Sequence, residues 1–97
     1  MRLGAGVLIA ANCTLAATNH ETRDPDRFIR DQGFRASKGG IVIEDDVWIG
    51  ANSVILDGSV IKRGAVVGAG SFVRGTVEEN AYVGGNPLRV LGSRANV

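Results

Sequence analysis

The sequence contains one cysteine, Cys13, which excludes an internal disulfide and fits a reducing compartment. Two prolines against fourteen glycines describe a chain that turns often and builds few helices. Aromatic residues make up 5% of the chain while hydrophobic residues reach 44%, so aliphatic side chains must fill the interior. Charges of the two signs nearly cancel, at +1, which leaves no footprint for nucleic acid or an anionic membrane. No apolar run reaches the roughly 18 residues that suggest a membrane span, and "MRLGAGVLIAANC" is interrupted too early for a signal peptide. The reading is a cytoplasmic, soluble protein. Its 97 residues suffice for one domain with a modest core, to which self-association would add burial.

What is present is a period. Ile43, Ile49, Ile55, Ile61, Val67 and Val73 recur every six residues. With each taken as the first residue of a hexapeptide, the fifth positions are Val47, Ser53, Ser59, Ala65, Ser71 and Val77, all small or β-branched. Alternate residues of extended chain share a face, so each anchor and the small residue two before it point inward together. The fourth positions are Asp46, Asn52, Gly58, Gly64, Gly70 and Thr76, and all but the threonine tolerate a left-handed backbone. Each unit is therefore a short strand followed by a corner, and the chain coils around flat walls. A β-sandwich would share the short strands and glycine-rich turns but would not hold a six-residue register through six units.

Leu3, Ile9 and Leu15 anchor the same pattern at the N-terminal end, with Cys13 at an inward fifth position. The fold expected is all-β, a parallel β-helix of about three coils with one long inserted loop and a short C-terminal tail. Its boundaries fall at 2–19 for the first coil, 20–40 for the loop, 41–77 for coils two and three, and 78–97 for the C-terminal segment. The residues preceding the anchors (Leu8, Val42, Trp48, Val54, Val60, Val66 and Phe72) face outward and are unusually apolar for a solitary prism. Association of identical copies would cover part of them.

The stretches "IVIEDDVWIGANSVIL", "VVGAGSFV" and "VGGNPLRVL" resemble the hexapeptide-repeat acyltransferases with a left-handed β-helix, most closely the sugar O-acetyltransferases and the galactoside, maltose and xenobiotic acetyltransferases. The resemblance implies a left-handed coil, a homotrimer with active sites in the clefts between subunits, acetyl-CoA as donor, and a hydroxyl or amine acceptor. It also implies no metal. Larger assemblies by end-to-end packing of trimers would cover the strand edge of the opening coil. "VRGTVEENAYV" departs from the threonine-lysine pair and prolines usual in the family.

His20, the single histidine, stands where the regular coil gives way to the insertion, and the resemblance implies that it is the general base. Imidazole suits that task because it exchanges protons near neutral pH. Its orienting partner is Glu21, Asp24, Asp31 or a backbone carbonyl. The insertion "HETRDPDRFIRDQGFRASKGG" carries Phe28, Ile29 and Phe34, which suits an arm packed over a neighbour and walling a pocket for a polar acceptor such as a sugar. By the same resemblance Trp48, Ala51 and Ala69 line the pantetheine arm, and Arg89, with Arg74 and Arg94 as lesser candidates, meets the CoA phosphates. Each has a plainer alternative: subunit packing for Trp48, an ordinary corner for Ala69, a solvated surface for the arginines. Cys13 reads as a small core residue, so transfer would be direct, without a covalent enzyme intermediate.

Two rivals define the limits of this reading. A γ-class carbonic anhydrase shares the fold and trimer but needs three histidines around each zinc, and one histidine cannot supply them. A truncated, non-catalytic β-helix module that still binds CoA is the alternative to an enzyme.

Overall fold

A computed structural model describes residues 1–96. Twelve short strands account for nearly all regular structure: β1 (Arg2–Leu3), β2 (Leu8–Ile9), β3 (Thr14–Ala16), β4 (Val42–Ile43), β5 (Trp48–Ile49), β6 (Val54–Leu56), β7 (Val60–Ile61), β8 (Val66–Val67), β9 (Phe72–Val73), β10 (Thr76–Val77), β11 (Ala81–Gly84) and β12 (Arg89–Ser93). They stack into three sheets, ordered β1-β4-β7-β10, β2-β5-β8-β11-β12 and β3-β6-β9. From β1 to β11 every third strand thus joins the same wall, and all pairings are parallel except β11 with β12. This all-β, parallel arrangement is that of a β-helix. No helix among the described residues is long and apolar enough to cross a membrane.

Register explains the period. Leu3 pairs with Ile43 and Ile43 with Ile61; Ile9 with Ile49 and Ile49 with Val67; Leu15 with Ile55 and Ile55 with Val73. The anchors therefore form three inward columns, one per wall. Ile43, Ile49, Ile55, Ile61, Val67 and Val73 are all buried, as are Val47, Ser53, Ser59, Ala65, Ser71 and Val77 at the fifth positions. Burial of a β-branched aliphatic side chain is worth about 1.5–3 kcal/mol, so these columns dominate the favourable side of folding. The buried serines remain hydrogen-bonded: Ser59 Oγ donates to the Val73 carbonyl at 3.3 Å and Ser53 Oγ to that of Gly68 at 3.2 Å.

The corners behave as the fourth positions require. Asp46, Asn52, Gly58, Gly64 and Gly70 all have positive φ, as do Gly6 and Asn12. Consecutive windings approach closely there. A Cβ on Gly50 would lie 2.5 Å from the Ala69 nitrogen, inside any real contact.

The winding continues past the point where the hexapeptide count loses phase. Four residues rather than six separate Val73 from Val77, because Arg74–Gly75 alone make the turn, and the left-handed residue is Gly75, not Thr76. Val77 is consequently an anchor paired with Ile61, and Val83 follows six later, paired with Val67. Asn80 and Ala81 fill the fourth and fifth places, with positive φ and burial respectively. The expected short tail is therefore a further partial winding closed by the β11–β12 hairpin. Arg94 pins its end by donating to the Gly64 carbonyl at 2.9 Å and pairing with Asp46 at 3.2 Å.

At the other end the first winding has neighbours on one side only. Leu3 is 54% exposed and Ile9 38%, against 0% for Ile55 in mid-stack. Ile55→Ala is expected to cost about 2–5 kcal/mol, and Leu3→Ala under about 1 kcal/mol, in urea unfolding of the isolated chain.

Candidate active site

The inserted segment leaves the prism after β3 and returns before β4. Its two stems zip together: His20 and Phe34 form an antiparallel bridge, the Glu21 amide donates to the Gly33 carbonyl at 2.9 Å, and the Arg35 amide to that of Asn19 at 2.8 Å. A 3-10 turn at Ile29–Asp31 makes the tip, where the Gln32 side-chain amide donates to the carbonyls of Asp24 and Arg27 at 2.8 and 2.9 Å. Phe28, Ile29 and Phe34 remain exposed on this arm.

The returning stem is fixed to the prism by Asp57, just past β6. Its carboxylate accepts from the amides of Lys38 and Gly40, both at 2.8 Å, and from the Ser37 hydroxyl at 3.3 Å. These donors, the Lys38 amide first, hold Asp57 below the ordinary carboxylate range although its burial opposes this. Gly58 has positive φ, and a Cβ there would meet the Lys38 Cβ at 3.1 Å. Glycine at this corner thus lets the lysine stem lie flat against the coil.

Between the arm and this corner lies a groove of about 680 Å³. Its lining includes His20, Arg35, Lys38, Leu56, Asp57 and Arg74. The imidazole stacks on the Phe34 ring, with centroids 4.8 Å apart and planes at 27°. No hydrogen bond among the described residues joins it to Glu21, Asp24 or Asp31. Glu21 is committed to Arg23 at 2.7 Å, and Asp24 accepts from the Asp26 amide at 3.0 Å. The contacts that hold the ring here are the stack on Phe34 and the bridged backbone.

The sequence-derived candidates fall into separate places. His20 and Arg74 line the same groove. Trp48 stands on the outer face of the second wall, in register with Leu8, Val66 and Tyr82. Ala51 and Ala69 meet at the corner preceding the third wall, where the Gly70 amide donates to the Ala51 carbonyl at 2.8 Å. Arg89 opens β12, exposed, and Arg94 is occupied by Asp46 and Gly64. Cys13 is half-buried against the core, its thiol donating to the Gly50 carbonyl at 3.2 Å. Asp57, Lys38 and Arg35 were not singled out from the sequence. Asp57 occupies a third position that is exposed or half-buried in the other repeats and is buried here, where the arm returns over it.

Parallel walls wound in turn, interrupted by one arm that makes a histidine-bearing groove, define a repeat-built β-helix protein. Residues 40–75 match the family described as "Bacterial transferase hexapeptide (six repeats)". Over those residues the chain carries the hexapeptide repeats of that family, and the proteins it resembles include acetyltransferases. It is 51% identical over 89 residues to YvoF of Bacillus subtilis (strain 168), which carries a provisional acetyltransferase name; the match covers 92% of this chain and 45% of that protein. Among solved structures, the hexapeptide-repeat acetyltransferase VCA0836 of Vibrio cholerae O1 biovar eltor, complexed with acetyl-CoA, aligns with a TM-score of 0.66 and 34% identity, over 93% of this chain and 44% of that one. A galactoside acetyltransferase in complex with coenzyme A aligns with a TM-score of 0.68 and 32% identity, over 90% and 44%. The chain spans less than half the length of YvoF.

The arm's electrostatics are testable by pH. The Arg23 guanidinium holds Glu21 down at about 2, against 4.5 for an unconstrained glutamate. A lowered pKa in the folded state means that the pair contributes fully above pH 4.5 and is lost as pH falls through about 2. Carboxyl NMR titration is expected to show this midpoint, and Arg23→Ala to move it up toward 4.5.

Proposed function

We propose that this chain is the catalytic β-helix of a CoA-dependent acyltransferase that moves an acetyl group from acetyl-CoA to a hydroxyl of a sugar or other small polar acceptor. The observation that carries the reading is the His20 groove, built on a chain whose matched relatives are acetyltransferases. A non-catalytic module is not favoured by those relatives.

The residues available fit the donor. Ala51 and Ala69 present only methyl groups where two windings meet, which leaves room for an extended amide-bearing arm to lie against the backbone. Trp48, exposed on the adjoining wall, offers that arm an apolar face, and Arg89 a cation for phosphate. Acetyl-CoA, when bound, supplies an acyl group activated as a thioester. His20 accepts the proton of the acceptor hydroxyl at an imidazole nitrogen and passes it toward the leaving thiolate. Phe34 restricts the ring to one plane, and the Asp57 clamp keeps the arm against the coil so that the groove stays formed.

The Ala51–Ala69 corner precedes the β3-β6-β9 wall and the His20 corner follows it, so the two flank opposite edges of one wall. A homotrimer, wound left-handed over about three coils, would bring one copy's histidine corner to its neighbour's donor corner. It would also cover the apolar row of Leu8, Trp48, Val66 and Tyr82. Positive φ at successive corners makes such a winding sterically tolerable, and exposed Phe28, Ile29 and Phe34 support an arm that reaches a neighbour.

His20→Ala is expected to lower acetyl transfer by roughly 10²–10⁴-fold while leaving retention on immobilised CoA unchanged. Equal turnover by both proteins would remove His20 from the mechanism.

A further inference from the structure

The groove beside His20 has a charge pattern that general-base chemistry alone does not use. Arg35, Lys38 and Arg74 bring three cations to its lining, against one carboxylate, Asp57. Among the described residues, no ion pair engages Lys38 or Arg74. Arg35 lies 3.8 Å from Glu21, whose carboxylate is already held by Arg23 at 2.7 Å. Asp57 is only 6% exposed, and its oxygens take the amides of Lys38 and Gly40 and the Ser37 hydroxyl. Although it lines the groove, its oxygens are thus already engaged by donors of the returning arm.

Lys38 is held in place rather than loosely attached. Its amide is fixed by Asp57, and its side-chain stem lies over Gly58, where a Cβ would sit 3.1 Å from the lysine Cβ and 3.7 Å from its Cδ. Arg74 belongs to the shortened two-residue turn at the same corner, one winding further on. Two cations, one from the returning arm and one from a later winding, thus share one groove with the candidate base.

We infer that the acceptor is itself an anion, a small molecule whose carboxylate or phosphate is held by Lys38 and Arg74 while its hydroxyl or amine meets His20. The inference rests on the acyltransferase reading and names the substrate class for that site. A pantetheine arm separates the thioester of acetyl-CoA from its phosphates. Cations that share a groove with the base are therefore placed for a charge on the acceptor rather than on the donor. The guanidinium fork of Arg74 matches either oxyanion in two-point fashion, and Lys38 adds a point charge.

Calorimetric titration of the whole chain with glucose 6-phosphate, glucuronate and glucose tests this without requiring turnover, and the ring resonances of the single histidine report the location. At least one anionic sugar is expected to bind about tenfold or more tighter than glucose and to shift the His20 signals. Lys38→Gln and Arg74→Gln should each weaken that anion about tenfold and leave CoA binding intact, while Arg74→Lys, which restores the charge but not the fork, recovers only part of the loss. The phosphate and carboxylate arms tell which oxyanion is preferred. Glucose binding as well as either anion, no binding of either anion, or variants that weaken CoA instead would each overturn the inference. Unchanged unfolding midpoints in the variants exclude misfolding. Selective anion binding in a protein that transfers no acetyl group supports the anion site and overturns the acyltransferase reading.

Discussion

Everything in this molecule depends on one steric coupling. In a six-residue unit the first and fifth side chains must point inward together, and the backbone can return to the next wall only through a left-handed corner. Inward Ile, Val, Ser and Ala with outward Asp, Asn and Gly corners satisfy both demands at once. Stacking then follows, because each winding leaves a strand edge that the next one pairs. The cost of an error is large: a shift of one residue within a wall would turn buried aliphatics outward. At the corners the constraint relaxes, since what projects there lies outside the stacked columns.

The site exploits that difference. The arm leaves between β3 and β4 without disturbing the register of Leu15 with Ile55 or Leu3 with Ile43. Its two stems are bridged through His20 and Phe34, and its return is fastened by Asp57 on the next winding. A rigid coil therefore holds a histidine on an arm that belongs to no wall. Lys38 and Arg74 reach the same groove from the arm and from a later winding. Nothing in a single wall could assemble such a set; the stacking of corners does so.

Most of the fold was legible because the period is a direct image of side-chain direction. Val47, Ser53, Ser59, Ala65 and Ser71 were read as inward from spacing alone, and all are buried. The reading lost phase at Val77, where a turn two residues shorter made an anchor look like a fifth position; Val83, six later, carried the recoverable signal. Of the groove's lining, His20 and Arg74 were the residues the sequence singled out. Phe34 and Asp57 act through contacts made when the arm folds back, and such non-local contacts leave no period in the sequence. Of the carboxylates offered as partners of the imidazole, Glu21 is instead paired with Arg23, two residues away.

One residue inserted at two positions tests this coupling most directly. An alanine added between Val54 and Ile55 lies within a wall, whereas a glycine added after Gly58 lies at a corner, of the kind that carries the whole arm one winding earlier. Urea unfolding of the two variants is predicted to differ sharply: the wall insertion loses the cooperative transition, and the corner insertion keeps it with only a small fall in midpoint. Equal losses in both, or a wall insertion that unfolds like the parent chain, would contradict the account.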